Sequence, residues 1–314
     1  MTALGTRPTT DADRAFWRDL LLAGGSTALP RWAPDPVPGT AEVEVPLSDA
    51  TVVSLRRLAD RLAVPLGSVL LAAHARVLAA LTGEPDVVTG YVAGDGGTPL
   101  PCRLRVDVGS WRTLVRAAAT TEAGLLAHRH ADLSALRGEL GTSGPSSEAV
   151  FDPTGVGGEL PGGAVLAVVP VHRGERLALR LTYRTDVLDA AAAARIGGYH
   201  RAALDELATD PDTGPMTAVL LSADELVSQL DGLAGPHREL PDRRVHELIE
   251  EQARRHPDDI AAVHGEERIT YGELDGRANQ VARALLARGL RPEDVVAVVT
   301  ERDLDWLTAV LAVF

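Results

Sequence analysis

Histidine, aspartate and cysteine side chains offer few places where this chain could do chemistry. His128 and His130 flank Arg129 with Asp132 nearby, and a His-x-His pair can hold a metal ion when a third ligand converges on it. The sequence identifies no third ligand, so we interpret these histidines as structural groups at the end of a helix. Cys102 lies in the strand-like segment PCRLRV without a base beside it, and we expect a buried apolar side chain there.

Two glycine-rich segments have the small residues of phosphate-binding loops, but their context argues against that role. Residues 141–147 (GTSGPSS) would let backbone N–H groups approach an anion, yet they contain no lysine. Residues 94–97 (GDGG) follow a strand-like run, but the next four residues, TPLP, cannot open the helix of a dinucleotide-binding motif. We predict a solvent-exposed loop at the first segment and a turn at the second.

The chain contains no lysine, and all 31 of its basic residues are arginine. A Walker-type phosphate loop requires a lysine, so the sequence excludes one within this chain. We attribute the use of arginine to base composition rather than to function.

Composition indicates a globular protein of two domains. The 314 residues are 45% hydrophobic and 24% charged, which is ordinary for a folded protein. A net charge of −13 would repel phosphate backbones and anionic lipid, so we expect no nucleic-acid partner. No basic-then-apolar leader opens the chain, and no apolar run reaches the roughly 18 residues that span a bilayer. We therefore expect no membrane association and, with one cysteine and no possible internal disulfide, a cytoplasmic location.

The first two thirds of the sequence predict mixed helices and strands. Residues 43–47 alternate apolar and polar side chains as a half-buried strand does, and Ser48 can cap the helix that follows. The segment 67–81 is almost wholly apolar, which predicts a helix buried on all sides. The other predicted elements are a strand at 86–92, helices at 111–128 and 189–207, and a hairpin of strands 164–171 and 176–183.

The last third begins with a strong helix signal. Thr270 and Glu273 have the spacing of a capping box, which predicts a helix starting near Tyr271 and ending at Gly289. The β-branched run 295–299 (VVAVV) is typical of a strand buried on both faces. A further apolar segment runs from Asp303 to the last residue. Such a helix–strand–helix series builds doubly wound sheets.

Residues 245–314 resemble the first segment of the adenylation domain of nonribosomal peptide synthetases. The motifs ITYGEL and RANQVARALLARGL carry the resemblance. Similar N-terminal segments occur in other adenylate-forming acyl ligases. The region that precedes residue 245 therefore decides which branch of this superfamily the chain resembles.

Residues 11 to about 230 resemble a divergent C-terminal lobe of a condensation domain, which precedes adenylation in these synthetases. FWRDLLLAGG and the long segment 45–94 resemble the core of that lobe, HADLSALRGEL its His-Gln-Asp segment, and residues 179–211 its last strand and helix. The segment GDGGTPLPCRLRV departs from the family's Gly-x-Phe-Val-Asn-Thr pattern, and Ala131 and Ser134 replace the usual Gln and Pro.

The resemblance implies an α/β (α+β) fold: an acyltransferase-like condensation lobe of mixed sheet plus helices, then the first helix–strand–helix units of an adenylate-forming, doubly wound subdomain. The domain bounds that it implies are 1–228 for a truncated condensation lobe, 229–243 for a Gly- and Pro-rich linker, and 244–314 for the incomplete start of an adenylation (AMP-binding) domain.

The same resemblance implies a part of a synthetase that activates an amino acid as aminoacyl-AMP and loads it on a carrier protein. The family's His-His-x-x-x-Asp-Gly motif is absent, as are its ATP-binding motifs, so we expect no catalytic, cofactor-binding or metal-ligating residue in this chain. ATP, Mg²⁺ and a phosphopantetheine carrier are implied for the parent synthetase only. Implied partners are the rest of the adenylation domain, the carrier protein and other synthetase subunits.

Two alternatives stay open at this stage. The condensation lobe could be a non-catalytic scaffold that supports an adenylation domain or docks a neighbouring subunit. It could also complete an acyltransferase together with a separately encoded N-terminal lobe.

Overall fold

The computed structural model describes residues 9–94, 98–236, 238–239 and 242–314. Contacts between residues divide the chain into two compact units, Met1–Leu233 and Ala234–Phe314. The predicted linker 229–243 spans this division. The predicted turn at 94–97 lies mostly outside the described residues.

A mixed sheet of six strands forms the centre of the first unit, in the order β2-β8-β7-β6-β3-β4. The β3–β6 and β6–β7 pairs are parallel, whereas β2–β8, β7–β8 and β3–β4 are antiparallel. Two short strands, β1 and β5, pair separately. The strands of this unit are β1 (Ser26–Thr27), β2 (Thr40–Pro46), β3 (Asp86–Tyr91), β4 (Leu100–Arg105), β5 (Ser146–Ser147), β6 (Ala149–Phe151), β7 (Leu166–Arg173) and β8 (Arg176–Arg184).

The described residues of this unit form seven α-helices beside the sheet, and most begin with a side-chain cap, including the predicted one at Ser48. Ser48, Ser110 and Asp189 each accept a hydrogen bond from a backbone N–H in the first turn of the following helix. The helices are α1 (Asp11–Ala23), α2 (Asp49–Leu62), α3 (Leu66–Thr82), α4 (Trp111–Ala127), α5 (Leu133–Leu140), α6 (Ala190–Thr209) and α7 (Ala223–Val227). The predicted strands, hairpin and helices of this unit are confirmed to within a few residues.

Helix α3 runs through the middle of the first unit. Every residue from 68 to 79 is buried, which confirms the predicted all-round burial of this helix. Gly83 ends it with a φ of 76°, a left-handed conformation that glycine adopts without strain. Each fully buried Leu or Val of such a helix contributes roughly 1.5–3 kcal/mol of hydrophobic stabilisation.

Helix α6 packs so closely on the sheet that one of its residues must be glycine. A Cβ on Gly197 would lie 2.5 Å from Cγ2 of Val45 in β2 and 3.8 Å from Cδ2 of Leu181 in β8. Val45 is buried and its β-branched side chain has little freedom to move aside. A Cβ on the adjacent Gly198 would have no neighbour within 4 Å.

None of the described helices is by itself long and apolar enough to cross a bilayer. The bent pair formed by α2 and α3 would meet that requirement by length and composition only.

The residues of the second unit that the structure describes form three helices and a two-stranded antiparallel hairpin. Thr270 and Glu273 form the predicted capping box, and the helix after it begins at Tyr271 as predicted. Gly289 follows that helix with a φ of 92°, which confirms the predicted left-handed residue at its end. The elements are α8 (Val245–Arg255), β9 (Ile260–His264), β10 (Glu267–Thr270), α9 (Tyr271–Ala287) and α10 (Leu304–Val313).

The prediction of a buried strand at 295–299 is wrong for this structure. These residues form no ladder, and Val295 and Val299 are 98% and 95% exposed. The β-branched run satisfies the local requirement for a strand, but a strand also needs a partner edge. Among the described residues of this unit, only the β9–β10 pair forms a ladder, and the two strands pair with each other.

We predict opposite effects for alanine at the two adjacent glycines of α6. Gly197→Ala should lower the free energy of unfolding by about 1–3 kcal/mol, because the new methyl group overlaps Val45. Gly198→Ala should raise it by about 0.5–1 kcal/mol, because alanine favours the helix and meets open space. Urea unfolding of both variants measures the difference. Equal effects of the two substitutions would contradict the close packing of α6 on β2.

Candidate functional site

The histidine considered as a metal ligand instead joins two helices. Nδ1 of His128, directly after α4, lies 2.7 Å from Oδ1 of Asp13 in α1, and the His128 ring stacks on Phe16 at 4.5 Å between centroids. Hydrogen bonds from Thr10 and His128 hold the pKa of Asp13 far below its usual range. The pair therefore fixes α1 against α4. The interpretation of His128 as a structural group agrees with this geometry.

Metal binding finds no support in the described part of the chain. His130 is exposed, and Asp132 caps α5 by accepting a hydrogen bond from the backbone N–H of Ala135. Within residues 9–94, 98–236, 238–239 and 242–314, no three His, Cys, Asp or Glu side chains converge to hold a metal ion.

Cys102 is fully buried in β4, as expected from the sequence. Burial raises the pKa of its thiol to about 12, so the reactive thiolate is not populated near neutral pH. The glycine-rich segment 141–147 leads into the short strand β5 rather than into a helix, and it offers no helix N-terminus to an anion.

A buried chain of polar groups links α3, α6 and the sheet, and sequence reasoning missed it. Nδ1 of His74 lies 3.0 Å from Nε2 of His200, and Nε2 of His74 lies 3.1 Å from Oγ1 of Thr89. Nδ1 of His200 lies 2.8 Å from the carbonyl oxygen of Ile196. Both imidazoles are almost wholly buried, at 0% and 1% exposure.

The contacts fix where the protons lie when both rings are neutral. A carbonyl can only accept, so His200 carries its proton on Nδ1 and presents a bare Nε2 to His74. His74 must then donate from Nδ1, and its bare Nε2 accepts the hydroxyl proton of Thr89. A proton added to His74 would turn that hydroxyl towards the carbonyl of Ala149, which lies 3.1 Å from Oγ1. Apart from the added proton, the neutral and charged states of His74 thus differ only in the orientation of the Thr89 hydroxyl.

Burial makes the charged state unfavourable. Desolvation, followed by the neighbouring His200, places the pKa of His74 well below its usual value. Desolvation also lowers the pKa of His200 to about 4, although its hydrogen bond to Ile196 acts in the opposite direction. The pair is therefore neutral at physiological pH. Its enclosure keeps both rings away from any external substrate.

A buried carboxylate forms a second polar cluster. Glu122 of α4 is 6% exposed and accepts hydrogen bonds from the hydroxyls of Ser68 in α3 and Tyr91 in β3. Desolvation and the contact with Glu122 raise the pKa of Tyr91. The hydroxyl groups satisfy the carboxylate, so the cluster stabilises the packing of α3 on α4.

Both clusters had a visible signal in the sequence. Ser68, His74 and Arg76 are the polar exceptions in the apolar stretch of α3, and His200 interrupts the apolar stripe of α6. A polar side chain in a fully buried helix requires a hydrogen-bonding partner. The identity of that partner depends on residues far away in the chain.

The second unit contains no site that fits ATP or Mg²⁺ among its described residues. Its helices and hairpin present no glycine-rich loop before a helix, and the chain has no lysine to contact a phosphate. No carboxylate cluster suited to Mg²⁺ is present within the described ranges.

Comparisons with known proteins define the class of both regions. Residues 249–314 match the profile of the family described as AMP-binding enzyme. Malpinin synthetase of Mortierella alpina is 30% identical over 348 residues, an alignment that covers 96% of this chain and 4% of that protein.

Solved structures agree on the fold. A four-domain nonribosomal peptide synthetase crystallised with AMP and glycine matches 91% of this chain and 26% of its own, with a TM-score of 0.62 and 16% identity. The first condensation domain of the calcium-dependent antibiotic synthetase matches 68% of this chain and 55% of its own, with a TM-score of 0.52 and 24% identity. The class is therefore a condensation-type region followed by an AMP-binding region.

The chain belongs to the nonribosomal peptide synthetase family, with a condensation-type fold followed by an AMP-binding match at 249–314. This confirms the family and the fold class indicated by the sequence motifs.

The buried histidine pair predicts a loss of stability in weak acid. The pKa of His200 is lowered on folding, so its stabilisation is complete above the unfolded value of about 6.5 and decreases as pH falls towards 4. His200 alone should reduce the free energy of unfolding by about 2 kcal/mol between pH 7.5 and pH 5. Urea unfolding at the two pH values measures this change.

His130→Gln is the matched control, because His130 is an exposed histidine that contacts neither ring. The control variant should lose the same stability as the parent chain. An NMR titration in which the His74 and His200 rings protonate near pH 6.5 would contradict the prediction.

Proposed function

We propose that this chain is part of a nonribosomal peptide synthetase that activates an amino acid as aminoacyl-AMP and loads it on a carrier protein. The order of the two regions carries the proposal: a condensation-type fold precedes the AMP-binding match at 249–314. ATP, Mg²⁺ and the phosphopantetheine arm of the carrier serve the parent synthetase. The chain itself contributes structure and no catalytic group.

The absence of catalysis follows from the chemistry that each step needs. Adenylation requires cations and N–H donors around the phosphates and the developing carboxyl–phosphate centre, and this chain has neither a phosphate loop nor a lysine. Condensation requires a histidine that can reach the attacking amine. The chain has no adjacent His-His pair, and His74 and His200 are enclosed in the core.

The proposed domain bounds are 1–228 for the condensation lobe, 229–243 for the linker and 244–314 for the adenylation start. The division of contacts between Leu233 and Ala234 supports a boundary in this region. The proposed partners are the remainder of the adenylation domain, a carrier protein and other synthetase subunits, in the cytoplasm. We propose neither nucleic acid nor membrane as a partner.

ATP–pyrophosphate exchange with mixed amino acids tests the catalytic part of this proposal. The purified 314-residue chain should give no exchange above background, because it has no lysine and its described residues form no phosphate loop. A longer protein that continues through a complete adenylation domain is the matched control and should exchange with at least one amino acid. Clear exchange by the 314-residue chain would contradict the non-catalytic assignment.

A scaffold role for the first unit is a second candidate function. One observation favours it: this unit has a continuous core around α3, and its buried His74, His200 and Glu122 all bond to groups inside that core. A lobe that keeps its packing without catalytic groups can still support a neighbouring domain or dock a subunit.

Removal of residues 1–228 from the full-length parent tests the scaffold role. We expect lower soluble yield and slower amino-acid activation by the shortened synthetase, because its adenylation domain loses a supporting surface. The intact parent carrying Gly198→Ala, a harmless change within the same lobe, is the control. Unchanged yield and activation after the deletion would rule out a scaffold.

A further inference from the structure

A cleft in the first unit lies beside the C-terminal end of α3, the N-terminal half of α6 and the segment 218–233. Its volume is about 850 Å³, within the range of pockets that hold small molecules. Apolar side chains make up much of its wall, including Leu81, Leu220 and Leu221. Nothing described above assigns a role to this cleft.

A buried guanidinium lines the cleft. Arg76 is 6% exposed; its Nε donates to the carbonyl oxygen of Pro215 at 2.6 Å and its Nη2 to that of Ala218 at 3.1 Å. No carboxylate of the described residues lies within ion-pair distance of it, and Glu206 acts on it only from farther away. Two of its five N–H groups are thus occupied, and by neutral acceptors.

An unpaired charge in such a position is costly. Burial lowers the pKa of Arg76, which reflects the unfavourable removal of its charge from water. Removal of a charged group from water is offset only by an opposite charge or by a full set of hydrogen bonds. The carbonyls of Pro215 and Ala218 supply part of that set.

Two other charged groups of the cleft, Glu225 and Arg195, already compensate each other. Glu225 accepts a hydrogen bond from the Tyr199 hydroxyl at 2.5 Å and lies 3.9 Å from Nε of Arg195. The Arg195 guanidinium in turn lies 5.3 Å from the ring centroid of Trp32. The guanidinium of Arg76 therefore remains a positive charge that an anionic ligand could neutralise.

We propose that this cleft binds a small monocarboxylate with an apolar body, whose carboxylate pairs with the guanidinium of Arg76. Charge-assisted hydrogen bonds between guanidinium and carboxylate are among the strongest that a protein makes. The apolar body lies against Leu81, Leu220 and Leu221. A dianionic phosphate fits less well, because Asp224 and Glu225 also line the cleft and would repel it.

Isothermal titration of the full 314-residue chain with 3-phenylpropanoate tests the proposal. We expect saturable binding, with no binding of phenethylamine, which has the same ring but an ammonium group, and weaker binding of inorganic phosphate. Arg76→Leu should raise the Kd for 3-phenylpropanoate by about tenfold or more, because it removes the charged partner.

A second variant keeps the test decisive if Arg76→Leu fails to fold. Ala80 is an exposed residue of α3 that lines the cleft, so Ala80→Glu places a competing carboxylate there without disturbing the core. It should weaken 3-phenylpropanoate binding by a similar factor. Ala191→Glu adds the same charge at an exposed position of α6 outside the cleft lining and should leave binding unchanged.

Three results would overturn the proposal. The first is no saturable binding of 3-phenylpropanoate by the parent chain. The second is equal binding by the parent and Ala80→Glu. The third is phenethylamine binding as tightly as the carboxylate, which would show that the apolar wall alone selects the ligand.

Discussion

The burial of α3 on all sides is the constraint on which the first unit depends. Three polar side chains of this helix need partners inside the protein, because none of them is more than 6% exposed. Ser68 donates to Glu122 of α4, His74 bonds His200 of α6, and Arg76 donates to carbonyls of the segment that follows α6. Each polar group thus connects α3 to a different element. Rotation or sliding of α3 would leave all three without partners at once.

This arrangement explains why the histidines of the lobe serve structure. A general base needs access to its substrate and a pKa near the working pH. His74 and His200 have neither, since the core encloses them and burial lowers the pKa of both. His128 is more accessible, but Asp13 and Phe16 hold its ring between α1 and α4. The imidazoles of His74, His200 and His128 are therefore used in packing.

Local signals predicted the elements well, and long-range partners could not be predicted. The capping box of Thr270 and Glu273 and the apolar run of α3 act within a few residues, so the sequence predicts both directly. The partners of His74 and Ser68 are 126 and 54 residues away, and only the assembled fold brings them together. The burial of Cys102 is also local, since an apolar strand-like segment surrounds it in the sequence.

The run 295–299 is a case in which a local signal predicted the wrong structure. Its β-branched residues favour a strand, but a strand forms only where another strand can pair with it. The sequence of the run itself does not say whether such a strand is present. Val295 and Val299 consequently remain exposed and give this unit none of the roughly 1.5–3 kcal/mol that each buried side chain would contribute. The described core of the second unit centres on Ile269, Leu274 and Leu304, whereas the first unit has a continuous core around α3. Because burial of apolar surface is the main favourable contribution to folding, the first unit has much the larger source of stabilisation.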